Sequence, residues 1–175
     1  MRLSLLFTAA ALSLELLACG RPFDVKTSTG FVELENQSNH GYGYRATTPE
    51  GVIVGVRVVE NEKRGDLAFW QQTLTLQLRD VAGYALLGVD DVASRDGTKG
   101  KRMRFGRDED AKPYLYQVTV YSAQGRLFLV ESGGKKENME RTAASVEWIE
   151  RSVRVVCGGF PAPILTSKTC NQWID

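Results

Sequence analysis

The chain reads as an α+β domain, an antiparallel β-sheet of about six strands packed with two main helices. Three observations predict this. Short apolar runs recur between turn signals such as Pro49-Glu50-Gly51, Arg95-Asp96-Gly97 and Ala123-Gln124-Gly125. Two stretches instead place apolar residues every three to four positions. The 175 residues, 43% hydrophobic and 25% charged, leave room for one domain with a substantial core.

Phe31 to Leu34 is a short strand, Tyr42 to Thr47 a second, and the valine-rich Val52 to Glu60 a stronger third. Asp66 is placed to N-cap a helix carrying Leu67, Trp70, Leu74 and Leu78 at helical spacing, with Gly83 as its stop. Thr73 and Thr75 are mediocre helix formers, so packing must hold this helix. Four strands follow: Tyr84 to Val89 (open to continuation through Asp90-Asp91-Val92), Lys101 to Phe105, Tyr114 to Tyr121 and Arg126 to Glu131. Short turns between consecutive strands imply antiparallel pairing. From about Glu137 to Val155, the set Met139, Ala143, Val146, Ile149 and Val153 predicts one amphipathic helix with Glu140, Arg141, Glu147 and Arg151 outward.

The formal net charge of +1 argues against a nucleic-acid binder, which carries a strong basic excess. There is no internal repeat and no second apolar run long enough to span a bilayer. Residues 1–18 have the parts of a secretory leader: Arg2, then an apolar stretch from Leu3 to Leu17, interrupted only by the awkward charge of Glu15. Residues 19–30 read as a tether, where about ten residues of flexible coil span roughly 18 Å. Residues 31–156 are the α+β domain, and 157–175 a C-terminal tail.

Leu16-Leu17-Ala18-Cys19 resembles the lipobox of bacterial lipoproteins. That resemblance implies a diacylglyceryl group on the Cys19 sulfur, cleavage before it, and acylation of the freed amine with a palmitate-type chain. An ordinary leader cut near Ala18, leaving Cys19 free, is the competing reading. One acyl chain anchors only marginally, at about 0.8 kcal/mol per methylene, so two or three are needed for lasting attachment. Gly20, rather than Asp, follows Cys19; by resemblance to lipoprotein sorting this points to the outer membrane facing the periplasm. With Cys19 acylated, Cys157 and Cys170 remain as an even pair, and in an oxidising compartment they read as a disulfide contributing about 3 kcal/mol. Zinc is the rival, but two cysteines and the distant His40 are a poor ligand set.

Asp66-Leu67-Ala68-Phe69-Trp70, Gly83-Tyr84-Ala85-Leu86-Leu87, Lys101-Arg102-Met103-Arg104-Phe105 and Arg126 to Glu131, in this order of elements, resemble the PsbP-like fold. That superfamily includes a photosystem extrinsic subunit, a small nuclear-transport factor and DcrB-like envelope proteins. The resemblance spans roughly Gly41 to Val155. It implies a domain that binds or assembles other proteins, and it brings no catalytic set. The manganese or calcium ligands of some members have no matching motif here, so no metal or cofactor is expected.

Candidate sites are few. His40, the single histidine, lies in a polar loop, and no Gly-Xaa-Ser-Xaa-Gly elbow accompanies it. Asp90-Asp91 and Asp108-Glu109-Asp110 lack the spacing of a calcium loop and read as exposed turn acids. The strongest charge run holds Lys101, Arg102 and Arg104, with Arg107 close by. On a strand Arg102 and Arg104 share one face and Lys101, Met103 and Phe105 the other. These cations are candidates for contact with a partner or with lipid headgroups, against the plainer reading of a solvated strand guarding a sheet edge. Tyr114, Tyr116, Tyr121, Phe128 and Trp148 are candidates for a recognition surface or for core.

The expected function is a non-catalytic, membrane-anchored envelope lipoprotein that binds another protein and supports the assembly or stability of an envelope complex. The alternative is a lipoprotein holding a small apolar ligand or lipid between sheet and helix. A hydrolase with an unrecognised site is a third reading. A flat exposed aromatic patch favours the first, a large apolar pocket the second, and a buried carboxylate in a cleft the third.

Overall fold

The computed structural model describes residues 21–35 and 41–156. Its elements run β1 (Phe23–Asp24), β2 (Val32–Glu33), β3 (Tyr42–Thr47), β4 (Ile53–Glu60), α1 (Leu67–Leu76), β5 (Ala85–Ala93), β6 (Lys99–Glu109), β7 (Lys112–Ala123), β8 (Arg126–Lys135), α2 (Lys136–Arg141), α3 (Ala143–Ser152) and β9 (Arg154–Val155). The main sheet has seven strands in the order β2-β3-β4-β8-β7-β6-β5. Every pairing in it is antiparallel. The α+β class is as expected, with one more strand than about six in the main sheet.

Alternation splits the central strands β4, β6, β7 and β8 between two layers, while β3 and β5 each carry a bulge. Val54 and Val56 of β4, Tyr121 of β7 and Phe128 and Val130 of β8 point to the side of α2 and α3, where Met139, Val146 and Ile149 meet them. Met103 and Phe105 of β6, Val118 and Val120 of β7, and Leu127 and Leu129 of β8 point the other way, under Leu67, Trp70, Leu74 and Leu78. The sheet is thus sandwiched, with α1 lying over β6 and β7. Asp66 caps α1 as expected, accepting the Phe69 N–H at 2.7 Å. The helix runs on through a π-helical turn over Gln77–Val81, and Gly83 then takes φ +72°.

Two expectations need correction. The single helix over 137–155 is two helices and a strand. Thr142 interrupts it, its hydroxyl donating to the Asn138 carbonyl at 2.8 Å. The Ser152 hydroxyl then donates to the Ile149 carbonyl at 2.7 Å and accepts the Lys26 N–H at 3.0 Å, closing α3. Val153 is buried as the periodicity requires and Val155 is buried as well, both from extended backbone. The second correction concerns the tether. β1 pairs antiparallel with β9, Phe23 against Val155 and Asp24 against Arg154. Phe23 is 3% exposed and Val25 is buried in the same core. Residues 21–30 therefore pack on the domain that was expected to start at residue 31. Cys19, His40, Cys157 and Cys170 lie outside the described residues.

Candidate functional site

α1 covers only part of its side of the sheet. Beyond it, β3, β4 and β8 expose a bare face built from the residues that alternate with the core valines. Ile53 and Val59 on β4 are 42% and 41% exposed, and Val32 on β2 more so. At the centre stands Glu131 of β8, 6% exposed, in the row that begins with the apolar Leu127 and Leu129. Arg57 Nε and Nη2 donate to its Oε1 at 2.9 and 2.6 Å, and the Tyr42 hydroxyl donates to Oε2. The carboxylate thus accepts from strands on its own face and is neutralised in place. Arg57 lies 5.8 Å from the centre of the Tyr42 ring, a cation–π distance. Burial, then the bond to Glu131, pushes the Tyr42 phenol up to about 12.

Gly55 makes this arrangement fit. A β-carbon there would stand 2.7 Å from Tyr42 Cδ1, so the ring can lie flat on the strand only over glycine. Tyr42, Arg45, Ile53, Gly55, Tyr116 and Glu131 border a shallow depression of about 320 Å³. Tyr116 joins it to a second aromatic group, with Tyr84 at 5.5 Å and Phe105 at 6.5 Å between ring centres. Burial and Glu131 both push the Tyr116 phenol upward. Arg107 lies 5.6 Å from the centre of the Tyr84 ring. The face is a sheet surface of tyrosine, arginine and scattered aliphatics, the residue types that anchor protein interfaces.

The opposite side of the sheet holds a groove of about 480 Å³ between β5–β7 and α2–α3. Leu87, Leu115, Met139, Ala143 and Val146 give it apolar walls. Glu150 of α3, 1% exposed, points at the sheet beside it. Arg102 Nε donates to both Glu150 oxygens at 3.0 Å, and Gln117 Nε2 to Oε2 at 2.8 Å. Burial pushes the Glu150 carboxyl above its ordinary value, and Arg102 beside it works the other way.

The four cations singled out in the sequence do not form one surface. Arg102 and Arg104 share one face as expected, and that face lines the groove, while Lys101 and Arg107 lie on the α1 side. Nor is β6 a sheet edge, since β5 covers it. Each has a carboxylate partner: Lys101 with Asp91 at 2.7 Å, Arg102 with Glu150 at 3.0 Å, Arg104 with Asp90 at 3.2 Å and Arg107 with Glu109 at 4.0 Å. Of the aromatics, Tyr121 and Phe128 are core, Tyr114 and Tyr116 flank the bare face, and Trp148 is exposed on α3. Tyr42, Arg57 and Glu131 escape sequence reasoning because three strands bring them together. A carboxylate continuing an apolar row in β8, and an arginine inside the valine run of β4, are the signals that mark them.

No family model matches the chain, and no curated protein matches it by sequence. Solved structures do match by shape. LpqN of Mycobacterium tuberculosis, described as involved in cell envelope biogenesis, aligns with TM-score 0.57 at 11% identity over 75% of this chain and 81% of that one. The Ran-binding protein Mog1p of Saccharomyces cerevisiae aligns with TM-score 0.56 at 11% identity over 77% and 90%. Cyanobacterial PsbP from Synechocystis aligns with TM-score 0.50 at 12% identity over 79% and 95%. The fold is PsbP-like. At these identities the likeness is one of architecture. Among the described residues no helix is long and apolar enough to cross a membrane, and no group of three or more His, Cys, Asp and Glu is placed to hold a metal ion.

Proposed function

We propose that this protein is a membrane-anchored envelope lipoprotein that binds another protein and supports the assembly or stability of an envelope complex. The observation that carries the binding role is the bare sheet face around Tyr42, Arg57 and Tyr116. Its Tyr/Arg chemistry and exposed Ile53 fit a partner surface better than a reaction site, because Glu131 is held by the Arg57 guanidinium and the Tyr42 hydroxyl and the depression beside it is open and shallow. Acylated Cys19 would anchor the chain and turn a weak encounter into a nearly intramolecular one. Arg104 and Arg107, both half exposed, are secondary contact candidates. The outer membrane's periplasmic side and a Cys157–Cys170 disulfide belong to the same reading. Architectural likeness to an envelope-biogenesis protein and to a Ran-binding protein is consistent with it.

The test is affinity capture from crosslinked membranes with the natural chain, a Cys19→Ala chain and an Ile53→Glu chain that melts normally. A defined complex recovered with the natural chain alone supports the proposal. The same complex recovered with all three sinks it.

The groove between sheet and helices favours a second reading, a small apolar ligand or lipid. Its volume of about 480 Å³ lies in the usual range for ligand pockets, and Leu87, Leu115, Met139 and Val146 share its walls with charged residues such as Arg104 and Glu147. Native mass spectrometry of protein taken gently from membranes decides it: a stoichiometric bound lipid, lost in Ala143→Trp, moves the function to the groove.

A further inference from the structure

The two ends of the fold meet at one pole, and that pole is basic. Lys26 follows β1, Arg95 lies in the β5–β6 turn, Arg151 sits in the last turn of α3 and Arg154 opens β9. Backbone bonds hold these segments side by side. The Val156 N–H donates to the Pro22 carbonyl at 3.0 Å, and the Arg95 N–H to the Arg151 carbonyl at 2.8 Å. Lys26 N–H reaches Ser152 Oγ at 3.0 Å, and the Val155 N–H reaches Asp96 Oδ2 at 3.1 Å. All four cationic side chains are exposed. Among the described residues none of them is in an ion pair, whereas Lys101, Arg102, Arg104 and Arg107 of β6 each are.

Two acids share this pole. Asp24 lies across from Arg154 in the β1–β9 register. The carboxylate of Asp96 is occupied by the Ser94 and Thr98 hydroxyls and by the Thr98 and Val155 N–H groups. The local excess of positive charge stands out on a chain whose formal net charge is only +1. Cys19 is two residues ahead of Arg21, at most about 7 Å of extended chain. Because residues 21–30 are packed on the domain, the anchor expected there has almost no slack.

We propose that the pole formed by Lys26, Arg95, Arg151 and Arg154 docks on the anionic headgroups of a phospholipid surface. This deepens the reading of a membrane-anchored domain and rests on it for its biological setting. Four spread, unpaired cations suit a diffuse planar anion better than a bidentate partner, since none is held in a fixed fork by neighbouring acids. Docking would fix which pole faces the bilayer and leave the sheet faces to the aqueous side.

The test uses the mature chain from Cys19 to Asp175, made without its leader and so without acyl groups. Partition is measured by co-flotation with vesicles of pure phosphatidylcholine or of phosphatidylcholine with one third phosphatidylglycerol. With two net charges counted at the pole, the anionic vesicles should bind on the order of 30-fold more strongly at low salt, the preference falling as salt rises. Lys26→Gln, Arg95→Gln, Arg151→Gln and Arg154→Gln together should abolish the preference with the circular dichroism melt preserved. Removing Arg79, Lys112, Lys135 and Arg141 instead, all towards the other end of the sheet, should leave it intact. Equal partition into both vesicles, or a preference that follows the second set rather than the first, overturns the proposal. The mass of the first residue of membrane-purified protein separately reports whether Cys19 is acylated, so failure of the anchor and failure of the pole are told apart.

Discussion

Replacing Glu150 by alanine should be among the costliest single truncations on the α2–α3 side of the sheet. The carboxylate is 1% exposed and takes hydrogen bonds from Arg102 and Gln117. Its removal strands the Arg102 guanidinium, whose side chain is only 15% exposed, with Glu147 at 3.8 Å as its remaining partner. Breaking a buried pair from one side costs about 3–5 kcal/mol, because the desolvated charge left behind is poorly offset, and Glu147 at 3.8 Å, half exposed, restores little of it. That is a large part of the 5–15 kcal/mol that holds a typical domain. In urea, with a slope of about 2 kcal/mol per molar for a domain of this size, the midpoint should fall by roughly 2 M at unchanged slope. The companion variant, Arg102→Met with Glu150→Leu, removes both charges and fills the space, and it should recover most of the loss. Far-UV circular dichroism at neutral pH reads both. The reasoning fails if Glu150→Ala shifts the midpoint by less than half a molar, or if the double variant is as weak as the sum of its parts.

Other positions make equally definite statements. Gly55→Ala puts a methyl group against the Tyr42 ring and should destabilise by about 1–3 kcal/mol, read as a lowered melting temperature. Phe23→Ala should cost about 3–5 kcal/mol, whereas a residue in a free tether would cost nothing measurable. Asp66→Ala should cost about 1 kcal/mol by exposing the first turn of α1, measurable in the same urea series. Tyr42 gives a pH signature. The fold prefers its protonated phenol, so stability from this group is complete below pH 10 and falls as pH climbs from there to about 12. Tyr42→Phe should flatten that part of the alkaline unfolding curve, and an unchanged slope would remove Tyr42 from the account.

Local chemistry made much of the fold readable. Asp66 before an apolar helical pattern, Gly51 in its turn, and the alternation of Val54, Val56 and Val58 each declare their structure within a few residues. The C-terminal segment looks like one helix in sequence because Met139, Ala143, Val146, Ile149 and Val153 keep helical spacing across the break at Thr142 and past the end of α3. Periodicity marks the buried face, with Ala143 at its exposed margin, and not whether the backbone changes type along it. The packing of Phe23 was illegible because a two-residue strand has no pattern of its own and exists only through β9. The candidate site shared that fate. The run of Lys101, Arg102 and Arg104 drew attention by its density, yet those charges are spent on neighbouring acids. Tyr42, Arg57 and Glu131 are dispersed over three strands, and only the sheet register brings them together.

The β1–β9 clasp also has a mechanical consequence. A pull on the amino end is transmitted first to two residues paired with the last described strand, not to the long ladders of β6, β7 and β8. Under tension the clasp is loaded like a zipper, and it yields before the sheet does. Freed as far as Gly30, the chain would pay out a leash of several residues at the loss of the Phe23 and Val25 core contacts, giving the domain reach under load and a compact seat at rest.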